Sequence, residues 1–304
     1  MGMGWRQAAA AAVLLLAAAA PAASHATSLR YCDAQAKLSA AQQDRLLRVA
    51  AIIKQELDGT GASLALMSRS GLSLGWFGMR YSHAGVSLKA SPASAWAVRQ
   101  LYFACEEQAP RLFDQGLTAF LMGADDPSLG FISVVTLPHA AAAALEPVAL
   151  DNTRALQLLG ATYSANAYAF AARYQNCNQW LAELLASAWG ALPPSEDVRS
   201  SAQGWLKANG YEAARFELPL RPLLWLTALS PWLQRDDHPD DAQGGAVFRV
   251  SMPASIESFV RSRFEDAQRI EFCHTDSHVL VRRGWSALAE GCVPTDEDRL
   301  VALD

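Results

Sequence analysis

The sequence predicts an α+β fold, and three features carry that expectation. Two segments, Leu38 to Leu57 and the stretch that begins at Cys177, repeat apolar residues at the spacing of one buried helix face. Several shorter runs, such as Ala84-Gly85-Val86-Ser87-Leu88, alternate as strands do. Strand candidates also follow one another across short polar connections, as antiparallel hairpins do.

Taken in order, Leu46, Leu47, Ala50, Ile53 and Leu57 define the first helix, which Asp58-Gly59 ends. Ala62 to Met67 reads as a short strand. A second strand is opened by His83 on its non-core face and runs to Leu88. After Lys89 to Ser94, with Pro92, Ala95 to Ala104 forms the next strand. Pairing Leu88 with Ala95 would set His83 opposite Gln100, and a slip of one residue would bring Arg99 or Leu101 there instead. Gln115 to Met122 reads as a short helix and Phe131 to Leu137 as a strand stopped by Pro138. Leu145 to Leu159 reads as helix, with Asp151 a possible start and Gly160 the stop. Helices are expected from Cys177 to about Gly190 and from Val198 to Asn209. Arg235 to Gly245 is the clearest loop. A strand from Val247 to Ser251, a helix begun by Pro253 and a hairpin of Arg269–His274 and Ser277–Arg283 close the chain.

The 304 residues are 51% hydrophobic, enough for a sizeable core of one or two domains. Net charge is −5 without a basic run, which excludes an electrostatic footprint for nucleic acid. Arg6, the apolar run Ala8 to Ala20, Pro21 and the small-residue site Ser24-His25-Ala26 read as a secretory signal cleaved after Ala26. That run is too short to span a bilayer, and no later segment offers about 18 clean apolar residues. Cys32 lacks the small-residue context of a lipid-modified cysteine. The mature chain, from residue 27, is therefore expected to be periplasmic or secreted, with no transmembrane segment.

Five cysteines in an exported chain leave one unpaired if the rest form bridges. Cys273 and Cys292 are close in sequence and Cys32 and Cys105 flank the N-terminal half, which suggests those two bridges and leaves Cys177 free; sequence leaves an all-reduced chain and other pairings open. Cys177 lies on the apolar stripe of its helix (180, 181, 184, 185, 188) and at the first turn, where unpaired N–H groups and the helix dipole favour a thiolate. Acyl transfer by a thiol needs that thiolate, an imidazole to take and return its proton, and a polar group to hold the ring. Cys177, His83 and Gln100 supply the three types. Tyr174 is a candidate donor to an oxyanion beside the Cys177 backbone N–H. The plainer alternative for each is a core thiol, a structural histidine, a strand glutamine and a packing tyrosine.

Tyr81-Ser82-His83-Ala84-Gly85-Val86 resembles the strand motif, and Asn176-Cys177-Asn178-Gln179-Trp180 the helix start, of circularly permuted NlpC-type papain-like hydrolases and lecithin:retinol acyltransferase-like proteins, in which His precedes Cys. More narrowly, the RYSHAG and RYQNCNQW segments resemble the bacterial domain-of-unknown-function family 2145, which implies no established activity. The wider resemblance covers roughly Leu64 to Trp189 and implies a permuted papain-like core over 27–194, with 195–304 as a C-terminal α+β extension packed on it. His83 and Cys177 carry over. The acyltransferase-like members use a second histidine on the next strand; this strand has none, so Gln100 rests on the hairpin register.

The function expected is an exported cysteine hydrolase or acyltransferase acting on amide or ester bonds of a small-molecule, peptide or lipid substrate in the cell envelope, possible cell-wall peptides among them. The alternative is a non-catalytic exported binding or structural domain on the same scaffold. No cofactor is called for. His274 and His278 could face each other across a hairpin, and Asp236, Asp237, His238, Asp240 and Asp241 could hold a cation. A polar hairpin tip and a solvated acidic loop are the expected readings, and no metal is assigned. Trp180/Trp189 and Trp225/Trp232 read as packing clusters.

Overall fold

A computed structural model describes residues 38–72, 74–217, 232–239 and 247–303. The signal segment, Cys32, Trp225, Asp240 and Asp241 lie outside the described residues.

The elements are α1 (Ala40–Gly59), β1 (Leu64–Arg69), β2 (His83–Leu88), β3 (Ala97–Ala104), β4 (Ala109–Gln115), α2 (Leu117–Leu121), β5 (Gly130–Thr136), α3 (His139–Leu150), α4 (Asn152–Gln157), α5 (Cys177–Trp189), α6 (Val198–Ala208), β6 (Ala214–Glu217), β7 (Val247–Val250), α7 (Pro253–Arg263), β8 (Gln268–His274), β9 (His278–Arg283) and β10 (Arg299–Ala302). Eight strands form one antiparallel sheet in the order β10-β9-β8-β5-β1-β2-β3-β4, and β6 pairs with β7 separately. The α+β class is as the sequence predicts. Beyond residue 195, β8, β9 and β10 continue the same sheet as β1–β5.

Both faces of the sheet are covered. Alternate residues of β1 divide between two cores: Leu64 and Leu66 pack with Val86, Leu101 and the helices α3 to α7, whereas Ala65 and Met67 pack with Val98, Ile132, α1 and α2. His83 therefore does not open its strand on an open face. It is 7% exposed and belongs to a second buried layer. With both faces buried, β1, β2 and β5 are buried at every position, and alternation of polarity ceases to separate core from surface.

Local chemistry accounts for most boundaries. Ser39 caps α1 through a capping box with Gln42. Asp151 accepts from Thr153 and Arg154 and caps α4. The helix expected from Leu145 begins six residues earlier, at His139, because Pro138 is accommodated at the N-cap and an alanine run follows it. Pro147 is tolerated inside that helix. β4, β6 and β10 have no counterpart in the sequence reading, and β4 and β10 lie at the edges of the large sheet. Pro110 sits in β4 where a missing N–H costs least.

Cys273 and Cys292 form a disulfide, as expected. Cys105 is disulfide-bonded as well, and the expected pairing with Cys32 lies outside the described residues. Cys177 is a free, buried thiol. Among the described residues no helix is long and apolar enough to cross a membrane.

Candidate active site

Cys177 is the first residue of α5. Asn176 caps that helix: its side-chain oxygen accepts from the Gln179 N–H at 2.7 Å while its amide donates to the Ala165 carbonyl. Asn178 then donates to the carbonyl of Ser82 at 3.1 Å, which ties the start of α5 to the residue before His83. Further along α5, Glu183 is fully buried and takes hydrogen bonds from Arg199, Gln203 and Gln175. Arg199 also donates to the carbonyls of Ala172 and Tyr174, so the buried ion pair holds the segment that leads into Cys177.

His83 and Cys177 line one cavity of about 250 Å³ at the end of the sheet. Arg69, Tyr102, Asn176 and Asn178 share its wall, with a largely apolar remainder that includes Leu74, Phe103 and Phe248. No hydrogen bond joins the sulfur to the imidazole among the described residues.

His83 Nε2 lies 2.7 Å from Gln100 Oε1. The amide NH2 of Gln100 donates in turn to Gln115 Oε1 at 2.7 Å, so the oxygen is the atom that faces His83. An amide oxygen can only accept, which puts the ring proton on Nε2 and leaves Nδ1 as the basic nitrogen. Tyr102 stacks on the ring at 4.6 Å between centroids.

The contact with Gln100 forms in a register other than the one expected. Leu88 pairs with Ala97 and Val86 with Arg99. Continued along the strand, this sets Gly85 opposite Gln100 and His83 opposite Tyr102. Relative to the sequence reading the shift is two residues, which preserves the face and lets Gln100 reach His83 diagonally.

The electrostatics differ from those expected of a helix N-terminus alone. Burial pushes the Cys177 thiol up to about 11, against the opposing pull of Arg69 and of backbone N–H groups from Asn178, Cys177 itself and Ala84. Burial, reinforced by Arg69, pushes His83 down to about 3, with the Gln100 hydrogen bond opposing it. Both shifts favour a neutral thiol and a neutral imidazole. The helix terminus acts in the expected direction, and desolvation outweighs it.

The other expected site residues lie elsewhere. Tyr174 is not part of the cavity wall, and its hydroxyl pairs with Asp236. His274 is opposite Val279, not His278, and the His278 ring contacts Thr275 and Ser277. Asp236 pairs with Arg173, and Asp237 accepts from the Tyr168 N–H. Among the described residues no group of three or more His, Cys, Asp or Glu side chains is placed to hold a metal ion. Trp180 is fully buried against the carbonyl of Ala155, and Trp232 packs on Phe103. Arg69, Tyr102 and Gln115 were absent from the sequence-derived site. The charged residue closing the apolar run Leu64–Met67 is the signal that could have found Arg69.

Fold and site together define an α+β protein with a buried thiol and an oriented imidazole lining one cavity. Residues 56–260 match the family described as "Uncharacterized protein conserved in bacteria (DUF2145)", and the chain belongs to that family. No curated protein and no solved structure matches the chain.

Proposed function

We propose that the chain is an exported cysteine hydrolase or acyltransferase with a permuted papain-like arrangement of its catalytic groups. The observation that carries this reading is that Cys177, at the start of α5, and His83, whose Nε2 is committed to Gln100, line one cavity. In the reaction His83 Nδ1 takes the proton of Cys177, and the thiolate attacks an amide or ester carbonyl. His83 returns the proton to the leaving group as the tetrahedral intermediate collapses to a thioester. Water or an acyl acceptor, deprotonated by the same nitrogen, releases the acyl group. The Cys177 backbone N–H is suited to stabilise the oxyanion. Export is supported by the signal-like N-terminus of the sequence and by the Cys273–Cys292 bridge, which suits an oxidising compartment.

The test is turnover of p-nitrophenyl acyl esters and of cell-wall peptides by the mature chain. Loss of turnover and of a trapped acyl thioester in both Cys177→Ala and His83→Ala, with folding intact, is the expected result. Unchanged turnover in either variant, or none in the parent chain, rejects the proposal. A second reading, a non-catalytic binding domain on the same scaffold, is favoured by the neutral state of both groups and the lack of a hydrogen bond between them. It expects small-molecule binding that neither substitution abolishes.

A further inference from the structure

Arg69 is the last residue of β1 and the direct cross-strand partner of His83. It is 4% exposed and lines the cavity with His83 and Cys177. Its Nη1 donates to the Ser70 carbonyl at 3.2 Å and its Nη2 to the Tyr102 hydroxyl at 2.5 Å, while its Nε is buried without a partner among the described residues. Arg69 makes no ion pair with Asp125 or any other described carboxylate, although Asp125 lines the same cavity. Four other buried arginines form ion pairs, Arg99 with Asp114, Arg199 with Glu183, Arg269 with Glu271 and Arg282 with Asp298. Arg154, also buried without an ion pair among the described residues, donates to Ser187 Oγ and the Leu192 carbonyl and does not line this cavity. Gly71 and Gly123 enclose the guanidinium so closely that a Cβ at either would collide with it.

A buried cation without a counter-charge is costly, and a planar guanidinium with unused N–H donors matches a carboxylate. We propose that Arg69 is the anchor for a carboxylate of the substrate, so that this cavity takes acyl compounds carrying a free carboxylate near the reacting carbonyl and an apolar remainder. That the bound carboxylate belongs to a substrate rests on the proposed cysteine chemistry, whereas the anion subsite stands on Arg69 alone. A carboxylate there would also offset the Arg69 charge that adds to burial in keeping His83 neutral, making the imidazole a better base.

The test uses the Cys177 thiol as a reporter in the mature chain. Its alkylation rates with iodoacetate and iodoacetamide are compared, and likewise with 3-bromopropionate and 3-bromopropionamide, each ratio being normalised to the same thiol in the unfolded chain. The anion subsite predicts a normalised preference for at least one carboxylate reagent of about tenfold or more, lost in Arg69→Met and partly kept in Arg69→Lys. Equal slowing of both reagents in Arg69→Met with an unchanged ratio would make Arg69 a thiolate-stabilising residue only and overturn the proposal. A normalised ratio near or below one in the parent chain, or no labelling of the folded chain by any reagent, overturns it too, and neither result depends on how Arg69 variants fold. A chain with the preference but no turnover would reject the catalytic reading and leave the subsite standing.

Discussion

Gln100 reaches His83 from across the sheet without standing opposite it: the 2.7 Å contact between Gln100 Oε1 and His83 Nε2 runs along a diagonal that passes Gly85. This contact assigns the ring proton, and it makes Gln100 the residue that positions the imidazole.

Gln100→Leu should therefore strand the His83 N–H and the Gln115 amide together. We expect a stability loss of about 1–3 kcal/mol, the cost of an unsatisfied buried group. The proton should redistribute between the two ring nitrogens, visible in the nitrogen-15 shifts of His83. An unchanged tautomer in the variant would show that Gln100 does not set it.

Gly85 leaves room for that diagonal. A Cβ there would lie 2.6 Å from Val98 Cγ1, 2.7 Å from the Arg99 carbonyl and 3.0 Å from Gln100 Cβ. Gly85→Ala should lower stability by about 1–3 kcal/mol through overpacking, read as a lower denaturant midpoint. The Gln100 substitution made on top should cost less than it does alone, because the contact it removes is already disturbed.

His83 gives the stability a pH dependence with a definite sign. Its folded value, about 3, lies below its ordinary 6.5, so between those limits the unfolded chain binds more protons. Stability should hold above pH 6.5 and decline as the pH falls toward 3, by a few kcal/mol from this residue. His274, lowered by burial to about 4, contributes in the same direction. Denaturant titrations of His83→Asn should show a shallower decline, with the His274 share remaining. A slope identical to that of the parent chain would contradict the assignment.

Arg199→Met leaves Glu183 buried without its cation and frees the carbonyls of Ala172 and Tyr174. The expected loss is about 3–5 kcal/mol. Adding Glu183→Leu should recover much of it, because an apolar pair avoids the desolvation of the carboxylate. If the double variant is as unstable as the single one, the carbonyl contacts and not the ion pair dominate.

The site was legible where residue type and helix position coincide. Cys177 stands at the first turn of a helix and on its apolar stripe, so both its place and its burial could be read from the sequence. His83 and Gln100 were paired from an incorrect register, and the pairing survived because a shift of two residues keeps side chains on the same face. Arg69 stands out in the sequence only as the charge that closes an apolar run; the counter-charge it lacks is revealed by the folded chain alone. The neutral thiol and imidazole were missed for a related reason: a helix terminus is visible in sequence, whereas the depth of the cavity around it is not. Among the strands, the central ones announced themselves by apolar runs, as in β1 and β5, or by alternation, as in β2. β4 did not, because it mixes charged and polar residues with a proline, and β10 did not, because it is only four residues long.

The register of β5 bears on how the molecule is made. One side of this strand pairs with β1, but its other side waits for β8, with Gly130 opposite His274 and Thr136 opposite Gln268. During synthesis β5 is therefore left with an unpaired hydrogen-bonding edge until β8 emerges more than a hundred residues later. Contacts this distant along the chain slow folding and lengthen the exposure of such edges to other nascent chains. A C-terminal truncation before residue 268 should accordingly be recovered as aggregate.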